Sequence, residues 1–325
     1  MKCLIRICAL SAVLLSTYCV AQESVGSYPS KPVVVIAGIA TGGGIDIEGR
    51  LYLKKMTEFL GQPFILDFKP GAAGTIGAGY VAKARPDGYT LLATTGGFTV
   101  FPAFYKDLSF DVMRDFAPIS LMSERFSVLQ VSQSFPAKTF PEYIAYVKAN
   151  PGKVNFGTTG VGSITHLAGA WLHGATNTSV TFIPYKGNGP LMQELIAGRV
   201  DVSCGILTSS LPLVKAGKSR ALAVLNDKRS KLFAGLQTVA EHGVTGYNYA
   251  NWMGFLAPGA TPAPLVNKLS DEFARTARSQ EVVNVLESEG SIPVGSTPAQ
   301  FRQLIALETS RWQKVVLENG IKLDE

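Results

Sequence analysis

Short β-branched runs that alternate with helix-like stretches are the feature of this sequence that leaves the fewest folds open. From Lys31 onward, VVVI at 33–36 reads as a strand and IDIEGRLYLKKMTEFL at 45–60 as a helix. PFILDF at 63–68, TIGAGYVAKA at 75–84 and YTLLA at 89–93 continue as strand, helix and strand. Such alternation argues for mostly parallel sheets with helices on both faces. Asp46 in a first turn, and Gly61 with Pro63 after Leu60, supply start and stop signals for the first helix.

A second set begins near Phe126. SVLQVS at 127–132, VNFG at 154–157, VTFI, RVDVSC and RALAVL read as strands, with helices over FPEYIAYVKAN, from Ser163, and over 189–197. WMGFLA at 252–257 reads as one more strand. From Pro264 the chain reads as helical to its end. Leu265, Leu269 and Phe273 share one face; so do Phe301, Leu304, Ile305, Trp312, Val315 and Val316. At 325 residues the chain accommodates two lobes, each with a core of its own. The expected division is 28–126 plus 250–325 for lobe one and 127–249 for lobe two. No internal repeat or low-complexity tract interrupts it.

The first 21 residues stand apart. Lys2 and Arg6 precede an uncharged stretch from Ile7 to Val20, and Ala21 follows in a Cys-Val-Ala context. That is the pattern of a cleaved export signal, with cleavage expected after Ala21. Tyr18 before Cys19 argues against lipid attachment there. Loss of Cys3, Cys8 and Cys19 leaves Cys204 alone, so no intramolecular disulfide forms and stability rests on burial. The 30 Lys and Arg against 24 Asp and Glu give +6; without Lys2 and Arg6, 28 against 24 leaves +4. No dense basic run follows a phosphate backbone, which argues against nucleic acid and an anionic membrane surface. A mild positive bias suits small anions.

Small-residue turns follow the strands: TGGG at 41–44, PGAAGTIG at 70–77, TTGG at 94–97 and GTTGVGS at 157–163. At strand ends and helix starts, free amides and the helix dipole favour an anion. Hydroxyls of Thr41, Thr94, Thr95, Thr158, Thr159 and Ser163 add donors. Any one such turn alone reads as a tight connection; several, from both halves, point to an anion cleft. A Walker-type loop fails because Ile45 and Asp46 follow Gly44 where Lys and Ser or Thr are needed. The dinucleotide fingerprint fails at Ile47. His166 and His173 lie seven apart with no Cys or paired carboxylate at metal spacing. A Ser163–His166 dyad lacks a marked acidic partner, GVGSI is not a nucleophile elbow, and Cys204 reads as core. No cofactor, no metal and no enzymatic activity are expected.

Together these motifs resemble a known family. Pro32-Val33 through GGGID, LGQPFILDFKPGAAGTIGA, RPDGYTLLATT, DFAPIS, THLAG, IPYKG, AGRVDV, KAGKSRALAV and WMGFLAP occur in the order seen in Bug-type solute-binding proteins of tripartite tricarboxylate transporters. The resemblance implies an α/β, two-lobed periplasmic-binding-protein fold of type II character, closing on a small carboxylate, a di- or tricarboxylate, amino-acid-like or aromatic acid. It implies a monomer partnered by membrane permease subunits, and ligand-facing positions in four places. These are Ala40, Thr41, Gly42, Gly43 and Gly44, with Asp46; Thr94, Thr95, Gly96 and Gly97; Thr158, Thr159, Gly160, Gly162, Ser163 and His166; and Tyr185 with Lys186. A role in sensing rather than transport is the alternative, and a Ser163/His166 hydrolase a further one. The sequence departs from the family at Ile39-Ala40-Thr41, where Phe-Pro-Pro is usual. It departs again at Gly205, where an Asp is common and where loss of a ligand contact is expected.

Overall fold

The structure, a computed structural model, describes residues 25–39 and 44–322. The expected export signal, with its three cysteines, lies outside the described residues, as do Ala40, Thr41, Gly42 and Gly43.

In chain order the elements are β1 (Val33–Ala37), α1 (Gly44–Leu60), β2 (Phe64–Phe68), α2 (Thr75–Ala82), β3 (Thr90–Thr95), α3 (Phe101–Phe104) and β4 (Phe116–Arg125). Next come β5 (Ser127–Ser132), α4 (Phe140–Ala149), β6 (Asn155–Thr158), α5 (Ile164–Ala175) and β7 (Thr181–Pro184). They are followed by α6 (Asn188–Ile196), β8 (Val202–Ile206), α7 (Leu207–Lys215) and β9 (Ser219–Val224). The last are β10 (Asn251–Pro258), α8 (Ala263–Ala277), α9 (Gln280–Ser288), β11 (Ser291–Pro293) and α10 (Pro298–Asn319). The tail expected to be helical from Pro264 onward is thus interrupted by β11, and α3, β4 and α7 join the elements read from the sequence.

Two sheets form, with strand orders β11-β4-β10-β3-β1-β2 and β7-β6-β8-β5-β9. The fold is α/β and two-lobed, but both sheets are mixed rather than mostly parallel. β1 is parallel to β2 and β3, and β6 to β7 and β8; β10, β11 and β5 pair antiparallel. The reason is the double crossing. A strand entering a lobe from the edge where β1 and β3 end must run against them, and β10 does so. β5 does the same in the second lobe, one residue after β4 leaves the first.

β1 alternates as a strand buried on both faces must. Val33, Val35 and Ala37 join a core with Tyr52, Leu53 and Met56 of α1 and Leu269 and Phe273 of α8. Ile36 faces the other way, among Ala78 and Val81 of α2, Phe98, Phe101, Phe116 and Trp252. The second lobe has its own core around Leu129, Phe140, Tyr143, Phe156, Leu167, Leu172 and Cys204.

α10 belongs to both. It opens with a capping box in which Thr297 and Gln300 bond each other's backbone amides. Phe301 and Ile305 enter the first-lobe core, whereas Trp312 and Val315 enter that of the second. The sequence pattern assigns this whole tail to lobe one; the helix instead straps the two lobes together.

Candidate functional site

In the first lobe, β1 and β3 are parallel neighbours, so their carboxyl ends share one edge. There Gly38 meets the turn before α2 backbone to backbone. A Cβ on Gly38 would stand 2.6 Å from Gly74 O, and one on Gly77 would stand 2.7 Å from Gly38 Cα. Only glycine permits that approach. Ala72 and Ala73 hold φ of 44° and 56°, a left-handed conformation that costs a non-glycine residue about 1 kcal/mol or more. The resulting hollow is bounded by Gly38, Ile39, Ala73, Gly74, Thr94, Thr95 and Gly97, with Phe98 and Phe101 also lining it. Thr94, Thr95 and Gly97 are expected site residues. Gly38, Ile39, Ala73 and Gly74 are additions; the PGAAG turn is the visible signal for Ala73 and Gly74, whereas Gly38 and Ile39 carry none.

After Thr95 the chain tightens into a 3₁₀ turn, Gly96–Val100. Thr99 Oγ1 donates to Gly96 O at 2.7 Å. Gly96 lies against the Trp252 indole, where a Cβ would come within 3.4 Å of Nε1. Val100 sits in the second-lobe core, and the turn packs against α5. Thus the lobe-one turn and the helix that begins the lobe-two site are neighbours.

In the second lobe, β6 ends at the buried Thr158, and its parallel partners β7 and β8 end alongside. Gly160 and Gly162 hold φ of 136° and 69°, which explains why glycine occupies both. Ser163 caps α5, its hydroxyl accepting from the His166 amide at 3.3 Å, while Ser163 N–H donates to Gly160 O. Thr159 N–H and Oγ1 both reach Thr165 Oγ1, at 3.0 and 2.9 Å. The first amides of α5 therefore emerge beside a web of hydroxyls, which suits an anion.

His166 is 8% exposed and its ring packs on Phe182, with centroids 4.6 Å apart. Its Nδ1 accepts from the Gly162 amide at 3.1 Å, leaving Nε2 to carry the proton of the neutral ring. Burial lowers its pKa, so neutrality is favoured. Ser163 Oγ is not paired with this ring; it serves the helix cap and approaches Thr165 Oγ1 at 2.9 Å. The dyad on which the hydrolase alternative rests is not assembled.

Tyr185 extends β7 along the same edge, its amide donating to Thr158 O at 2.9 Å, and Gly160 lies near Tyr185 O. Lys186 beside it is exposed and makes no ion pair among the described residues. Asp46 sits in the first turn of α1, where Arg50 Nε donates to its Oδ1 at 2.5 Å. Gly44 opens that helix. Gly205 does not leave a hole in the cleft wall. A Cβ there would lie 2.2 Å from Ser210 Oγ and 2.8 Å from Gln130 Nε2, so those side chains already fill the space. At Gly205 the lobe-two interior is thus already packed by Ser210 and Gln130.

Among the described residues, no group of three His, Cys, Asp or Glu is placed to hold a metal ion, and no helix is long and apolar enough to cross a membrane. The sequence profile described as "Tripartite tricarboxylate transporter family receptor" (TctC) matches residues 49–321. The UPF0065 protein of the TAR-I ttuE-ttuC' intergenic region of Agrobacterium vitis is 36% identical over 314 residues, 96% of this chain and 90% of the relative. A protein of R. palustris solved with adipate shares the fold at a TM-score of 0.77 and 32% identity, over 91% of this chain and 99% of its own. MatC from Rhodopseudomonas palustris, solved with bound malate, superposes at a TM-score of 0.73 with 31% identity, over 89% of this chain and all of its own. With a profile spanning most of the sequence and a relative alignable almost end to end, the chain belongs to the tripartite tricarboxylate transporter receptor family.

Proposed function

We propose that this protein is an exported, periplasmic receptor that closes its two lobes on a small carboxylate. It acts as a monomer and delivers the ligand to the membrane permease subunits of a tripartite transporter. The observation that carries this reading is the pair of small-residue turns, Thr94–Gly97 and Thr158–Ser163, at carboxyl ends of strands in separate sheets and joined through the packing of Gly96–Val100 on α5.

The donors there are amides and hydroxyls. Lys186 is the only cation among the expected ligand-facing residues. Each helix-start amide group favours a carboxylate by about 0.3–1 kcal/mol at an exposed site, so several must converge. A carboxylate held this way is read by its shape and by the spacing between its ends. The adipate and malate in the two family structures support a dicarboxylate.

A thermal-shift screen over dicarboxylates, adipate and malate included, and over aromatic acids tests the reading. At 100 times its dissociation constant a true ligand adds about 2.7 kcal/mol of stability. If no carboxylate raises the melting temperature and another ligand class does, the reading is wrong.

A further inference from the structure

α10 buries a carboxylate directly behind the lobe-one turn. Glu308 is 3% exposed, and its Oε2 accepts from Trp252 Nε1 at 2.8 Å and from Thr99 Oγ1 at 3.1 Å. The same Thr99 hydroxyl lies 2.7 Å from Gly96 O. A hydroxyl has one proton and cannot serve both acceptors fully. Trp252 is also the ring on which Gly96 rests. Two supports of the Gly96 turn therefore end on one carboxylate oxygen.

We propose that Glu308 is a positioning residue for the turn Thr94–Gly97, switching the Thr99 hydroxyl between two acceptors. Charged, the carboxylate draws that proton from Gly96 O. Protonated, it donates to Thr99 Oγ1 itself, and the Thr99 proton closes fully on Gly96 O. The proposal rests on the reading of this turn as part of the carboxylate site.

Both states are within reach near neutrality. Burial raises the Glu308 pKa to about 7, against the hydrogen bonds from Trp252 and Thr99, which pull it down. The charged groups facing it are Arg311, which lowers it, and Glu124 of β4, which raises it; the buried Tyr249 hydroxyl also faces it and is held neutral, its pKa pushed up by burial and by the Glu308 charge. The Gly96–Val100 turn, α3 and β10 carry no ionisable side chain. Arg311 in turn lies over the Trp171 ring at 4.4 Å and donates to Asn248 O, so it is anchored toward the second lobe. A buried negative charge behind an anion-holding turn opposes the ligand. Affinity for a carboxylate therefore rises as pH falls through the Glu308 transition, and by reciprocity the bound anion strengthens proton binding.

The test begins without ligand, on the intact protein carrying 5-fluorotryptophan and ¹⁵N. Trp252 is assigned by W252F, and spectra are followed from about pH 5.5 to 8.5. The Trp252 signal and the Gly96 and Gly97 amides should titrate together, and all three should be flat in E308Q, whose amide supplies acceptor and donor at once. In T99V, Trp252 should still titrate while the two glycine amides follow with less than half the wild-type amplitude, only the Trp252 contact being left to carry it. Glycine amides that ignore Trp252 in the wild type, or an E308Q titration like that of the wild type, overturn the proposal. Calorimetry with adipate and with malate then reads the consequence. The dissociation constant should fall roughly three- to tenfold from about pH 8 to 6 in the wild type and stay level in E308Q. A level wild-type affinity beside titrating spectra also overturns it. If neither acid binds while the coupled titration persists, the carboxylate reading falls and the Glu308 link to Gly96 stands.

Discussion

Glu48 and Arg125 meet where the first lobe passes the chain to the second. The Glu48 carboxylate has no solvent exposure and accepts from Arg125 Nε and from a terminal guanidinium nitrogen, each at 2.8 Å. Ser123 Oγ at 2.5 Å and Ser291 Oγ at 3.2 Å complete its shell. One carboxylate on α1 thereby holds β4 and β11 together.

Breaking that pair should be costly because it strands a charge. Glu48→Ala is expected to lower stability by about 3–5 kcal/mol, and the double replacement E48M/R125M to recover a large part of the loss. Urea melts of the three proteins decide it; equal stability of E48A and wild type would show the pair to be idle.

Thr95 is half-buried at the end of β3, and its hydroxyl makes no hydrogen bond among the described residues. Thr95→Val keeps the shape and removes the donor. Affinity for whichever of adipate or malate binds should fall about three- to tenfold, the worth of one hydrogen bond, with stability changed by less than about 0.5 kcal/mol. Calorimetry beside a thermal melt separates the two effects.

Gly205 tests the packed interior. Gln130 Oε1 and Ser210 Oγ have no partner among the described residues, yet both side chains crowd the space beside Gly205. Gly205→Ala, and Gly205→Asp more so, should destabilise by about 1–3 kcal/mol through overpacking. A Gly205→Asp protein as stable as the wild type would mean that Ser210 and Gln130 move aside freely.

His173 sets a pH dependence. Burial pushes its pKa down to about 3, and its two nitrogens lie 3.1 Å from the Tyr143 hydroxyl and 2.6 Å from Thr178 Oγ1. The unfolded chain takes up the proton below about pH 6.5, whereas the fold refuses it until about 3. The stability contribution is therefore whole above the unfolded value and is lost as pH falls toward 3, at up to about 1.4 kcal/mol per pH unit. His173→Gln should flatten this part of the slope in denaturant titrations between about pH 6 and 4. Equal slopes would exclude a histidine held neutral by the fold.

The elements most legible in the sequence are the unbroken apolar strands and the amphipathic helices. β1 and β5 emerge at their places as β-branched runs buried almost throughout, and α8 because Leu265, Leu269 and Phe273 repeat at the helical interval. β4 hides because Pro118 sits inside it and lacks an amide. The structure accepts that proline beside a register shift against β10, where the ladder is already irregular. β11 is too short to announce itself.

Site legibility divides in the same way. The turns at 94–97 and 157–163 are readable from their composition, but the seat of Gly38 on Gly74 is a tertiary contact that no local pattern encodes. Glu48 and Glu308 are the hardest to read. As charged helix residues they would ordinarily face water, and only the assembled fold reveals the partners that let them stay buried.

The single residue between β4 and β5 has a mechanical consequence. Phe126 alone spans that crossing, its amide donating to Gly290 O and its carbonyl accepting from the Leu207 amide, while the α10 strap packs into the cores of both bodies it joins. Freedom that narrow admits a swing like that of a door on its frame, with one axis and a short arc. A molecule held as proposed would meet the same two walls at each closure.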